Sequence, residues 1–278
     1  MTLQVGVKLP ARFQDPGEFL ADAQAYETAG AHSLWLSDGM FRPAGGEAFM
    51  TPGLDTMTLL AALATVTARV QLGASVVVPA QWPPALFAQI VTTLEHLGRG
   101  RLLLGLGAGW ERVQLEANGV PFEGRGRRLD ELIGVLRQLW SGAVQPFEGD
   151  VYELPPVRVA PAFRPGGPPL LIGAFQDVGL RRAARLGDGF ISGGGRPERV
   201  RAQFDRVLSL RKELGRTGEF QLWAQVRPPQ NRAAWRETLT AYAEVGALGV
   251  IVNHAPNLLD ILRNPEEDDR QDLRMAVG

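Results

Sequence analysis

The chain has 278 residues, with 29 Lys+Arg against 30 Asp+Glu and a formal charge of -1. Its 45% hydrophobic and 21% charged content excludes a largely disordered chain, and the balanced charge argues against a nucleic-acid partner held by charge. With no cysteine there is no disulfide, iron–sulfur cluster, Cys-ligated zinc or thiol nucleophile, and His32, His96 and His254 leave little for a His-rich metal site.

In chain order, Val5–Leu9 reads as a strand. Asp15-Pro16-Gly17-Glu18 reads as a helix start, with Asp15 as cap and Phe19, Ala23, Tyr26 and Ala29 on one face. Ser33–Ser37 is a strand, Leu54–Thr67 a helix and Val70–Val78 a β-branched strand. Pro83-Pro84 opens a helix with the apolar stripe Phe87, Ile90, Val91, Leu94 and Leu97. The strand Leu102–Leu106 follows, then helices near Glu111–Asn118 and Arg127–Ser141. Residues 141–168 read as a proline-rich insertion with a short hairpin around Glu148-Gly149-Asp150. Strands at Leu170–Gly173, Gly189–Ser192, Phe220–Val226 and Leu248–Val252 then alternate with helices at Val178–Leu186 (Asp177 as cap), Glu198–Leu214, Ala233–Val245 and Asn257–Leu262. The acidic stretch after Asn264 reads as a solvated end.

Eight apolar strands separated by helices in roughly 250 residues is the arithmetic of an α/β TIM (β/α)8 barrel; a doubly wound sheet is the competitor. No linker divides the chain, so residues 1–278 read as one domain. No run approaches the ~18 apolar residues of a membrane span, and the first residues lack signal-peptide character. The expectation is a soluble cytoplasmic protein acting on a small molecule.

In a barrel the site lies at the C-terminal strand ends. Gly105-Leu106-Gly107-Ala108-Gly109-Trp110 lacks the third glycine and later acid of a dinucleotide fingerprint, but its backbone fits close approach to a ligand. Gly173-Ala174-Phe175-Gln176 precedes a helix start, where free N–H groups favour phosphate; an ordinary capped turn fits equally. Ser192-Gly193-Gly194-Gly195-Arg196 reads as a flexible loop. Asp38 offers a carboxylate at a strand end, as base or ligand acceptor, or as a cap. Trp82 and Trp110 suit a flat conjugated ligand or core packing. His254 reads as structural; neither His32 nor His96 reads as catalytic.

Taken in order, several segments resemble the luciferase-like monooxygenase superfamily of FMN- and deazaflavin (coenzyme F420)-dependent oxidoreductases. They are Leu34-Trp35-Leu36-Ser37-Asp38, Leu72-Gly73-Ala74-Ser75-Val76, Gly98-Arg99-Gly100-Arg101 running on to Trp110, Gly119-Val120-Pro121-Phe122, Phe147 to Tyr152, Pro168 to Gly173, and Ala183 to Phe190. The resemblance implies a barrel with an insertion, a homodimer, and a flavin or deazaflavin at the strand ends. It implies a cis peptide at Ser75–Val76 backing the tricyclic ring, Gly107, Ala108 and Gly109 against the ring or ribityl chain, and Gly173, Ala174, Phe175 and Gln176 on the phosphate. It favours coenzyme F420 over FMN, because Leu36-Ser37-Asp38 and Gly73-Ala74-Ser75-Val76 resemble the deazaflavin branch.

Two positions depart from the dehydrogenases of that branch: Gly39 stands in place of histidine and Trp110 in place of glutamate. Proton transfer would then fall to Asp38, to water, or to no group. The implied activity is hydride transfer to a small organic substrate, with oxygen insertion as a variant. The loops Phe41–Gly53 and Pro146–Pro168 are expected to shape the substrate pocket. Two other readings stay open: a non-catalytic flavin-binding protein, and a phosphosugar isomerase or aldolase, for which Lys8 is the lysine at a strand end.

Overall fold

The computed structural model describes residues 3–10, 15–38 and 53–264. Eight parallel strands close into a ring: β1 (Gln4–Lys8), β2 (Ser33–Leu36), β3 (Gln71–Val77), β4 (Leu102–Leu106), β7 (Leu170–Ala174), β8 (Gly189–Ser192), β9 (Gln221–Val226) and β10 (Gly249–Asn253). Two strands outside the ring, β5 (Phe147–Glu148) and β6 (Glu153–Leu154), form the expected hairpin in the insertion. The TIM barrel is therefore the fold, and the doubly wound sheet is excluded by ring closure through β1 and β10.

The helices that cover the ring are α1 (Pro16–Thr28), α2 (Thr56–Val66), α3 (Pro84–Gly98), α5 (Arg125–Trp140), α6 (Asp177–Leu186), α7 (Pro197–Glu213) and α8 (Arg232–Glu244), with short α4 (Arg112–Glu116) and α9 (Leu258–Arg263). Asp15 caps α1 as expected: its Oδ1 accepts from the Glu18 N–H. Three expectations need correction. Asp177 lies inside the first turn of α6 rather than capping it, because Arg181 and Arg206 draw its carboxylate sideways. The segment Glu111–Asn118 holds only the single turn α4. Leu97 is exposed, since the buried stripe of α3 runs through Phe87, Val91 and Leu94.

Side chains alternate between two cores. Leu34, Leu36, Leu72, Leu104 and Ile172 point outward to the helices. Trp35, Leu103, Leu171, Ile191, Trp223 and Ile251 fill the barrel itself. The Trp35 and Trp223 rings meet at 5.0 Å, edge to face. Two indoles fit because neighbouring strands give up side chains: a Cβ on Gly73 would overlap the Trp35 ring, and one on Gly249 the Trp223 ring. The Trp35 Nε1–H donates to Ser33 Oγ at 2.7 Å, so the buried indole is satisfied.

The motif Gly98-Arg99-Gly100-Arg101 has a structural task. Arg99 and Gly100 turn the chain with positive φ, and the Arg101 guanidinium donates to the carbonyls of Ala64 in the last turn of α2 and of Thr67 and Val70 just after it. The insertion is tied down by one ion pair. Arg164 donates through Nε and Nη2 to Glu95, a carboxylate only 1% exposed on α3. His96 supports the same edge through a 2.9 Å bond between Nε2 and the Pro161 carbonyl.

Candidate active site

The predicted site residues converge at the C-terminal mouth of the barrel. The Ser75–Val76 peptide is cis, and the pairing of β3 with β4 shifts register between Ala74 and Val77. The resulting bulge turns Val76 toward the ends of β4 and β7. A Cβ on Gly107 would lie 2.6 Å from one Val76 methyl, and a Cβ on Gly173 would lie 2.5 Å from the other. Three of the expected segments thus share one small space, which only glycine at 107 and 173 allows.

The end of β2 laces the bulge in place. Ser37 Oγ donates to the Ser75 carbonyl at 2.9 Å, and the Asp38 N–H donates to the Val76 carbonyl at 3.2 Å. The Asp38 carboxylate accepts from the Val78 N–H at 3.0 Å and from Gln81 Nε2 at 2.7 Å, all through Oδ2. Asp38 therefore braces the segment that follows the bulge. Ala108 packs on the outer core, and Gly109, at φ +87°, turns the chain so that its carbonyl accepts from Arg125 Nε. Trp110 stands 66% exposed at the rim, whereas Trp82 packs on Phe87.

Beyond Gly173, Ala174 lies so close to α6 that a Cβ on Gly179 would overlap it. Phe175 is exposed and lays its ring on Gly193. Gln176 occupies the cap position of α6, its carbonyl accepting from Gly179 and Leu180. The Asp177 carboxyl next to it is held below the usual carboxylate range, first by Arg206 and then by Arg181.

The glycine run after β8 differs from the expected flexible loop. Ser192 Oγ donates to Gln203 and accepts from the Gly194 N–H, and Tyr242 Oη donates to the Gly195 carbonyl at 2.6 Å. Thus pinned, the loop forms one wall of a cleft of about 1030 Å³ over the ends of β8, β9 and β10. Arg196, Arg199 and Arg227 line it, and no aspartate or glutamate does among the described residues. None of the three arginines forms an ion pair with another described residue. Sequence reasoning placed Arg196 in a flexible loop and gave no role to Arg199 or Arg227. The signal that could have found Arg199 is its position three residues into the turn opened by Arg196-Pro197.

Lys8 ends β1 inside the mouth. Its Nζ donates to Gln225 Oε1 at 2.8 Å, and burial brings its pKa down from 10.5 to about 8. His254 has a structural partner, Nδ1 lying 2.9 Å from Tyr26 Oη. Among the described residues no group of three or more His, Asp or Glu is placed to hold a metal, and no helix is long and apolar enough to cross a membrane. The stretches 11–14, 39–52 and 265–278 fall outside the described residues, and with them Gly39, most of the expected loop Phe41–Gly53 and the acidic tail.

The residues present fit a tricyclic redox ring. Ser75 is buried with its Oγ lacking a hydrogen-bond partner among the described residues, at the bulge where such a ring would rest. The comparisons with known proteins agree. A family model described as luciferase-like monooxygenase matches residues 3–277. The chain is 35% identical over 201 residues to an F420-dependent glucose-6-phosphate dehydrogenase of Amycolatopsis mediterranei, covering 70% of this chain and 58% of that protein. The match thus spans less than two thirds of that relative. Two solved structures share the fold. An F420-dependent secondary alcohol dehydrogenase holding an F420–acetone adduct has a TM-score of 0.82 at 17% identity, over 96% of this chain and 100% of its own. The oxygenating constituent of 3,6-diketocamphane monooxygenase from Pseudomonas putida, with FMN, has a TM-score of 0.76 at 13% identity, over 96% of each chain. With the cis bulge, the glycine cradle and the family match over nearly its whole length, the chain belongs to the luciferase-like monooxygenase family.

Proposed function

We propose that the protein is an oxidoreductase that moves hydride between coenzyme F420 and a small organic substrate of the alcohol–carbonyl type. One observation carries the choice of cofactor: the cleft over the ends of β8, β9 and β10, across the mouth from the bulge, bears Arg196, Arg199 and Arg227 and no acid among its described lining. A deazaflavin of the F420 kind continues past its phosphate into a chain of carboxylates, whereas FMN ends at the phosphate. Three arginines with no carboxylate partner among the described residues suit the longer anion. The printed names of the Amycolatopsis relative and of the alcohol dehydrogenase support the same reading.

When bound, the cofactor accepts or supplies the hydride. The chain's share is placement. Val76, held by Gly107 and Gly173, gives the ring a firm backing. Ser75 Oγ offers it a buried hydroxyl. Ser37 and Asp38 fix the bulge by hydrogen bonds. The turn Gly107–Gly109 and the residues Gly173–Gln176 border the path from ring to arginines, and Phe175 covers part of it. Asp38 is hydrogen-bonded to the segment that follows the bulge, and in this reading it contacts the cofactor and supports catalysis.

The test is a fluorescence titration with F420 and with FMN at low and high salt. F420 should bind more tightly, and its affinity should fall more steeply with salt. Equal or reversed affinities would reassign the cofactor; binding of neither would end the redox reading. A second reading, the aldolase, draws on one observation, the desolvated amine of Lys8 at a strand end. Borohydride trapping of dihydroxyacetone phosphate on Lys8 in flavin-free protein would favour it.

A further inference from the structure

Lys8 carries a charge into the mouth of the barrel with little to balance it. Its Nζ has a neutral amide as partner, Gln225 Oε1 at 2.8 Å, and no carboxylate pairs with it among the described residues. An ammonium taken out of water in this way is costly unless a ligand supplies the opposing charge. Both Gln225, its hydrogen-bond partner, and Asn253, its register partner on β10, line the arginine cleft, so Lys8 adjoins that space. The strand order adds a direction. In the ring Lys8 stands on β1, two strands from β3, and Gln225 on β9, four strands from β3 whichever way it is counted, so the Lys8 side chain reaches from the flank of the Ser75–Val76 bulge toward the wall that faces it. A flat ring backed by the bulge has the Lys8 ammonium beside it in the same mouth.

Hydride transfer changes charge at that place. When a substrate C–H bond breaks, its hydrogen and electron pair pass to the oxidised ring. The substrate carbon becomes a carbonyl carbon, and its hydroxyl proton leaves to water. A neutral ring that gains a hydride gains one negative charge. We propose that the Lys8 ammonium offsets this charge, and so sets both the reduction potential of the bound cofactor and the preference of the site for its reduced form. The inference rests on the reading of the mouth as a flavin or deazaflavin site. The arginines of the cleft stand beyond β8 and β9, Arg196 and Arg227 outside helices and Arg199 in the first turn of α7, and serve the tail; Lys8 serves the ring.

The test is spectroelectrochemical titration of the F420-loaded and the FMN-loaded protein, reduced by dithionite without substrate, for the wild type, Lys8→Met and Lys8→Arg. The affinity for oxidised cofactor is measured in parallel. Lys8→Met should bind oxidised cofactor nearly as well as the wild type. Its preference for the reduced form should fall by about tenfold or more, and tenfold corresponds to about 30 mV for a two-electron couple. Lys8→Arg, which keeps the charge, should stay near the wild type. An unchanged potential in Lys8→Met, or an equal loss in both variants, overturns the inference and leaves Lys8 a packing residue. Should Lys8→Met fail to fold, Lys8→Gln carries the same comparison. If the wild type binds neither cofactor, the failure lies in the redox reading itself and removes the inference with it.

Discussion

Gly173 and Val76 occupy a space that only one side chain can fill: a Cβ on Gly173 would lie 2.5 Å from a Val76 methyl. The contact joins the end of β7 to the bulge of β3, and it fixes the surface on which the ring would rest. Gly173→Ala must therefore displace Val76. The variant should lose about 1–3 kcal/mol of stability, the usual cost of overpacking. Its affinity for F420 or FMN should drop by about tenfold, a loss of about 1.4 kcal/mol. Denaturant melts and cofactor titrations check the two effects separately. Unchanged binding with lowered stability would detach the cradle from the ligand.

Glu95 and Arg164 make a second prediction, about the insertion. Glu95 is buried on α3, and its carboxylate also accepts from the Leu102 N–H at 3.2 Å. Glu95→Ala leaves the Arg164 guanidinium, itself partly exposed, without its partner. The cost should be about 3 kcal/mol, the low end for breaking a buried pair. Proteolysis within residues 141–168 should accelerate as the segment loosens, while Glu95→Gln should fall in between. Cleavage rates and melting curves are the measurements.

Lys8 gives the third, on pH. Its pKa is about 8 when folded and near 10.5 when unfolded. Between those values the unfolded chain holds the extra proton, so stability rises with pH across that window. The penalty is present in full below pH 8, where it amounts to roughly 3 kcal/mol. It fades as pH approaches 10.5. Charged or titratable neighbours on the adjoining strand ends are Asp38 after β2, Arg227 after β9 and His254 after β10. Lys8→Met keeps all three, so the difference between its melting profile and that of the wild type isolates the lysine. A wild-type advantage that shrinks from pH 8 to 10 would contradict the assignment.

Much of this was readable from the chain, and the parts that were not have physical reasons. The eight barrel strands announce themselves as short apolar runs because both faces are covered; Leu102–Leu106 and Gly189–Ser192 match residue for residue, and the others shift by a residue or two. Glycines could be flagged, but their partners could not: that Gly73 makes room for Trp35, or Gly107 for Val76, depends on which strands become neighbours. Asp177 was misplaced because helix-start statistics carry no knowledge of Arg206, 29 positions away. The arginine cleft was the main omission. Only Lys8 and Lys212 among the 29 basic residues are lysine, so arginine is everywhere in this chain and its pattern carries no contrast. Arg196, Arg199 and Arg227 become a feature only once the ring closes and brings the ends of β8 and β9 side by side.

The most direct measurement is a crystal structure of the protein with coenzyme F420, and with FMN as the parallel soak. The ring is predicted against the Ser75–Val76 peptide, with the Lys8 ammonium beside it in the mouth and the anionic tail reaching Arg196, Arg199 and Arg227. Density for the ring elsewhere on the molecule, or at the mouth with the tail turned away from those arginines, would contradict the account.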